Sequence, residues 1–361
     1  MKKYIFSIAV LLSGTALVCF PEKASQAVKE AVLSCMNVII PSLFAMMVLS
    51  ELFISSGLYK AAGRPFGIIG RYIFRIPSDM GAVFLVSMAA GYPVGASLIV
   101  QAYDKKSVSR EDAENMLCWC FGAGPAFIFS AVGLEVFGNK GCGAAVFISC
   151  IAANVIIGIL CGIGKKLPEK SSGKTELCFS SSMITEAVCK GGLSLMKMCA
   201  VILFMSALLS IPEALGVTVH ISSVLGNIFH TDPYDIYISI RSMTDITKLT
   251  AYKTNSVSFL PTAAALVSFG GISVFMQIAS VCKGRIGISK MIISRFAAAF
   301  LSYIICDRLY GILYREAYIS VMSDGDISIR HNPPLSSLFL LIMTILLLSQ
   351  KQYGQNEKNV I

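Results

Sequence analysis

Apolar stretches long enough to cross a bilayer follow one another along this chain with only short polar joints between them, and that succession limits the fold more than any other feature. A helix needs about 20 predominantly apolar residues to span the hydrocarbon core. The sequence offers candidates at 4–20, 28–54, 81–103, 116–137, 141–164, 183–211, 256–282 and 291–313. In hydrocarbon every backbone N–H and C=O must find a partner inside the protein, so an all-α polytopic bundle is predicted. Three of these stretches are cut near their middles: at Gly91, Pro93 and Gly95 in MAAGYPVGASL, at GAGP (122–125), and at Phe269-Gly270-Gly271. Glycine opens positive φ, and proline removes an N–H while disfavouring helix in the residue before it. Each break has two readings: a kink absorbed by neighbouring helices, or a meeting of two half-helices beside a water-filled cavity. In the second reading the free N–H groups at the start of a half-helix favour an anion. Three interruptions at comparable depth shift the balance toward the second.

Composition agrees with a membrane protein. Charged residues are 14% and hydrophobic residues 55%, with a mean hydropathy of +0.72, where soluble domains carry about 25% charged residues. The twelve cysteines lie mostly singly in apolar runs, as at Cys19, Cys35, Cys150, Cys161, Cys199 and Cys306, where they behave as small hydrophobes. Cys118 and Cys120 lack the second pair or the histidines of a zinc site, and the three histidines, His220, His230 and His331, are far apart. With no nucleophile–base pair, metal cluster or phosphate loop recognisable, neither an enzyme nor a metal or cofactor site is expected. The net charge of +9 concentrates in the joints. Cytoplasmic loops normally carry such an excess, so topology accounts for it without nucleic acid. The stretch 57–80, with Lys60, Arg64, Arg71 and Arg75, suits an interfacial helix or basic loop against membrane lipid. A homo-oligomer is left open.

Five segments are predicted. Residues 1–26 form an N-terminal membrane helix, read as retained because no A-x-A-like cleavage site follows its signal-like start. Residues 27–164 and 183–313 form two halves, joined by the polar linker 165–182, and 314–361 hold a loop, a short apolar helix at 335–349 and a polar tail. At an offset of 160, Ala27/Ala187, Val28/Val188, Leu33/Leu193, Met36/Met196 and Phe44/Phe204 coincide. Shared apolar composition accounts for much of this. Counting positive charge on the joints gives independent support for opposed halves. With Lys2 and Lys3 inside, 28–54 runs inward and 188–214 outward, provided 81–103 returns to the side it entered and 236–282 makes one crossing plus one re-entrant turn. Ser107 or Ser109 is expected to cap a helix running into 116–137. The region 212–235, free of Lys and Arg, reads as a polar external joint.

Arg241, Asp245 and Lys248 are four and three residues apart, one face of a helix, and form either a mutually neutralised network or a substrate site. Gln277 offers donors and acceptors to a ligand or to a neighbouring helix. In 183–211, Lys190 can snorkel, whereas Lys197 is nearer the middle. Asp307 and Arg308 read as interface anchors.

Residues 40–58 (IPSLFAMMVLSELFISSGL), 90–97 (AGYPVGAS), 109–130 (SREDAENMLCWCFGAGPAFIFS) and 268–277 (SFGGISVFMQ) together resemble the YlbJ-type sporulation integral membrane proteins of the nucleoside-recognition or Gate-domain superfamily. The likeness covers roughly residues 28–310. It implies two inverted repeats with re-entrant helices, similar in outline to concentrative nucleoside transporters. It also implies a part in endospore formation: moving dipicolinate, a small aromatic dicarboxylate, from the mother cell across the outer forespore membrane. The positions carried over are Gly91, Pro93, Gly95, Gly124, Pro125, Gly270, Gly271 and Gln277, with Asp245 and Thr247. At the last two the chain departs from the pattern: Asp245-Ile246-Thr247-Lys248-Leu249 has Asp in place of Glu and lacks the glycine after Thr. Transport of a small organic anion is therefore the leading expectation, with a nucleoside carrier or a non-transporting sporulation assembly protein as alternatives.

Overall fold

The computed structural model describes residues 2–59, 67, 70–165, 167, 180–254 and 257–321. Residues 1–312 and 313–361 form separate units, and the bundle and its site belong to the first. The predicted helix at 335–349, most of the linker 165–182 and parts of 57–80 lie outside the described residues. No strand occurs among the described residues, and four helical stretches there are long and apolar enough to cross a membrane: 140–162, 181–214, 289–310 and, interrupted at Gly270–Gly271, 257–282. The chain is an all-α membrane bundle.

The first half opens with α1 (Lys2–Cys19), α2 (Pro21–Ser34) and α3 (Ile40–Ser55), the last two joined by a π-turn at Cys35–Ile39. Pro41 cannot donate to the carbonyl of Asn37, and the helix widens just before it. The helix begins at Pro21, seven residues before the predicted start at 28, because its first turns are polar and hydropathy marks only the apolar part. After α4 (Gly81–Ala90) the chain breaks at Gly91 and continues as α5 (Tyr92–Asp104). These arms fold back on each other. A methyl group on Gly95 would stand 2.6 Å from Cβ of Ser87, whereas residues eight apart in one straight helix are separated by about 12 Å. Ser109 then caps α6 (Arg110–Trp119), its Oγ accepting from Asp112 N at 3.1 Å. Beyond GAGP the chain resumes as a π-helix, Phe127–Val136, and α6 and the π-helix both pack on the unbroken α7 (Lys140–Gly162). This second break interrupts a crossing.

The second half begins with α8 (Ser181–Ala214), packed on α2 and α3. The supposed polar joint 212–235 is instead largely helical, with α9 (Val217–Phe229) between the left-handed residues Gly216 and His230. On α9 the small Thr218, Ser222 and Gly226 are buried while Val219, Ile228 and Phe229 are exposed, the inverted pattern of a helix facing lipid. Next, α10 (Pro233–Thr244) runs inward, Asp245 is extended, and a 3₁₀ turn, Ile246–Ala251, leads back. Tyr252 Oη donates to Asp235 Oδ1, closing the mouth of this excursion. Then α11 (Leu260–Phe269) and α12 (Ile272–Cys282) part at Gly270–Gly271 toward different neighbours, α11 against α7 and α12 against α5 and α8. The last helix is α13 (Ser289–Val321).

Ion pairs gather the basic joints into one layer. Lys165 Nζ meets Asp112 Oδ1 at 2.6 Å and Lys290 Nζ meets Glu114 Oε2 at 3.4 Å; Arg285 pairs with Asp104, and Arg75 donates to the carbonyl of Lys165. At the other end of α7, Thr254 N donates to Val136 O at 2.9 Å. The joints that carry Arg75, Lys165, Arg285 and Lys290 thus lie together at one end of the bundle.

Gly95 allows a direct check of the hairpin. Its added methyl would meet Ser87 Cβ at 2.6 Å and Cys120 O at 2.7 Å, while one on Gly192 would find its nearest neighbour at 3.8 Å. Gly95→Ala is expected to cost about 1–3 kcal/mol through overpacking, and Gly192→Ala to be neutral or stabilising. Thermal unfolding of both variants in detergent reads the difference. Equal midpoints would count against the folded-back arms.

Candidate functional site

The interruptions converge. Gly91, at φ +93°, lies so close to Gly124 that a Cβ there would sit 3.4 Å from Gly124 N, which packs the first break on the second. Gly271, at φ +91°, rests against the tip of the 233–252 excursion, with Ser242 O at 3.2 Å and Ile246 N at 3.3 Å from its Cβ position. The Cβ position of Gly270 meets the rings of Phe121 and Tyr92. Only backbones without side chains can approach so closely at these angles.

Among these breaks lies a cavity of about 50 Å³. Gly91, Tyr92 and Pro93 line it from the first break, Ala123, Gly124 and Phe127 from the second, Asp245, Ile246 and Thr247 from the excursion tip, and Ser273, Val274 and Gln277 from the start of α12. Ile39 and Leu43, with Met198 and Ile202 of α8, complete an apolar wall.

A broken helix strands carbonyls at one end and N–H groups at the next, and in a membrane each needs a partner. Carbonyls at the end of α11 are met by Tyr92 Oη, which donates to Val267 O at 2.5 Å, and by Arg295 Nη1, which donates to Ser268 O at 3.5 Å. At the end of α6, Arg295 Nη2 donates to Cys118 O, and Asn154 Nδ2 donates to Phe121 O at 2.6 Å. Arg295 also donates to Asn154 Oδ1 at 3.0 Å and lies 4.5 Å from the centre of the Phe121 ring. It is fully buried, and no carboxylate contacts it among the described residues. Its donors serve broken backbone.

The N–H ends are treated differently. Three starts, those of α5, the π-helix and α12, open on the cavity, and none has a side-chain cap. The fourth, the 3₁₀ turn, is capped by Asp245, whose Oδ1 accepts from Thr247 N at 3.1 Å and from Ser273 Oγ at 3.4 Å. Asp245 is fully buried, and its Oδ2 has no hydrogen-bond partner among the described residues. A buried polar atom without a partner is costly unless a ligand or water completes it.

Of the residues singled out in the sequence, Gly91, Pro93, Gly124, Asp245, Thr247 and Gln277 line the cavity. Gly270 and Gly271 form the break behind it, Gly95 holds the hairpin arms together, and Pro125 lies at the start of the helix beyond the second break without lining the cavity. The single face expected of Arg241, Asp245 and Lys248 does not form. α10 ends at Thr244 and Asp245 is extended, so the helical spacing stops between the first and second of them. Arg241 turns away: its Nε is 2.7 Å from Glu213 Oε1, off the hydrogen-bond direction, and its guanidinium lies 5.3 Å from the Tyr237 ring centre. Lys248 is half-buried outside the cavity lining. Sequence reasoning passed over Tyr92, Asn154, Ser273 and Arg295. For Arg295 the available signal was a charge set among the uncharged residues of 291–306, a rare and costly placement in a span.

The chain is similar to the sporulation integral membrane protein YlbJ of Bacillus subtilis (strain 168), with 29% identity over 178 residues, 49% of this chain and 43% of that protein. The match thus spans less than half the length of that relative. No family model matches the chain. The YlbJ-type resemblance stands on this similarity, and its wider Gate-domain placement has no such support.

Proposed function

We propose that this protein is a membrane transporter or facilitator for a small organic anion, dipicolinate during endospore formation, acting from the outer forespore membrane of the mother cell. The observation that carries the reading is the cavity ringed by three uncapped helix starts. Each start is equivalent to roughly +0.5 charge, and the negative ends of α6 and α11 at the same breaks are met by Arg295, Asn154 and Tyr92, an arrangement that favours an anion at the donor ends. The similarity to YlbJ adds the sporulation setting, and the aromatic and aliphatic walls suit a flat ring.

The element order supports alternating access between two inverted repeats. Each half has a hairpin that returns, a crossing that is broken, and an unbroken helix. The hairpins 81–104 and 233–252 approach the cavity from opposite ends of the bundle, the first from the basic layer. Such paired, opposed elements around a midplane site are a recurring carrier design.

Purified protein in liposomes is expected to take up labelled dipicolinate, with uridine as the comparison solute. A strain lacking the gene is expected to make dipicolinate in the mother cell while its spores contain none. Normal spore content in that strain would overturn the reading. A nucleoside carrier is the second reading, favoured by one feature: Asp245 Oδ2 and Gln277 face one cavity and suit ribose hydroxyls or a base edge. Saturable uridine uptake without dipicolinate uptake would establish it.

A further inference from the structure

A second cavity, of about 180 Å³, adjoins the first and shares Pro93, Met198 and Gln277 with it. Its walls come from α3, α5, α8 and α12, two elements of each half. It differs from the central cavity in carrying basic side chains, Lys197 and Lys283, with Glu51 beside them. No carboxylate lies within ion-pairing distance of either lysine among the described residues.

The position of Lys197 is the decisive feature. Every stretch of about 20 residues, the length of a hydrocarbon span, that fits within Ser181–Ala214 contains residues 195–200. Lys197 is therefore at hydrocarbon depth wherever α8 sits in the bilayer. It is nevertheless exposed. An ammonium at that depth is far better placed against water or an anion than against acyl chains, and the second cavity is the polar-lined space that Lys197 borders. Lys283 stands at its other end, on the left-handed residue that closes α12 beside the basic layer.

We propose that this second cavity is a carboxylate-collecting vestibule, in which Lys197 and Lys283 hold the incoming dicarboxylate before it passes Gln277 into the central cavity. The identity of the ligand rests on the transport reading above; the anion site itself does not. Two bases against Glu51 leave a net positive field, and low-dielectric walls focus it.

The test places a thiol at Ser194, on the vestibule wall, and compares two methanethiosulfonate reagents of similar size, one ending in sulfonate and one in trimethylammonium. Rates are read by mass spectrometry on the purified full chain, with the unsubstituted protein as background for the native cysteines. Each rate is divided by that of the same reagent with a free thiol. S194C is expected to favour the anionic reagent about tenfold. That preference is expected to fall to near unity with Lys197→Gln and Lys283→Gln, and dipicolinate is expected to slow the anionic reaction. An unreactive S194C, no anionic preference, or a preference untouched by both lysine changes would overturn the vestibule while leaving transport to be judged by uptake. A lysine-dependent preference in a protein that moves no dipicolinate would do the reverse: the anion site stands and the transport reading falls.

Discussion

Replacing Asp245 with asparagine is expected to tighten dipicolinate binding about tenfold, or about 1.4 kcal/mol, with an unchanged or higher unfolding midpoint. Asparagine retains an acceptor for Thr247 N and nearly the same shape, while removing a buried negative charge with one oxygen unpartnered. Two negative charges about 8 Å apart repel by about 2 kcal/mol at an effective dielectric constant of 20, so the sign of the effect identifies the ligand class. A nucleoside that donates hydroxyls to Oδ2 would instead lose affinity, because its donors would meet an amide N–H. Isothermal titration of both ligands against the wild-type and Asp245→Asn proteins separates the cases. Weaker dipicolinate binding in the variant would remove the anion assignment of the central cavity.

Arg295→Met is expected to lower stability by about 3–5 kcal/mol, the usual consequence of removing one partner from a buried charged network. The change leaves Cys118 O, Ser268 O and Asn154 Oδ1 without their guanidinium donors at the ends of two interrupted helices. Hydrocarbon supplies no water to replace them. Arg295→Lys should fall between, since an ammonium has three donors but not the planar fork that reaches three acceptors at once. Thermal unfolding in detergent, together with the yield of monodisperse protein, measures this. A methionine variant as stable as wild type would mean that the stranded carbonyls are satisfied by other groups.

The helix starts and interruptions were legible because they depend on local chemistry. Ser109 caps where the sequence places a cap, and the chain breaks at Gly91, at 122–125 and at Gly270–Gly271, where glycine and proline make continuous helix unfavourable. The charge on the joints was equally informative, since basic residues sort by side of the membrane whatever the packing between helices. The failures share a different cause. Arg241, Asp245 and Lys248 have perfect helical spacing, and only the end of α10 at Thr244 separates them. The stretch 212–235 looked polar because its small hydroxyl residues turn inward and its apolar ones outward, against the soluble-protein pattern.

By itself the sequence determined that this is a helical membrane bundle with interrupted spans, and where the interruptions fall, because hydropathy and backbone preference belong to each residue and its near neighbours. The tertiary structure alone decided which interruption turns back and which crosses, that Asp245 marks a returning tip, and that Arg295, Tyr92 and Asn154 satisfy the severed ends. Those outcomes depend on which donors, distant in the chain, arrive beside each stranded carbonyl, and in a medium without water that arrival fixes which helix starts remain free to face a solute.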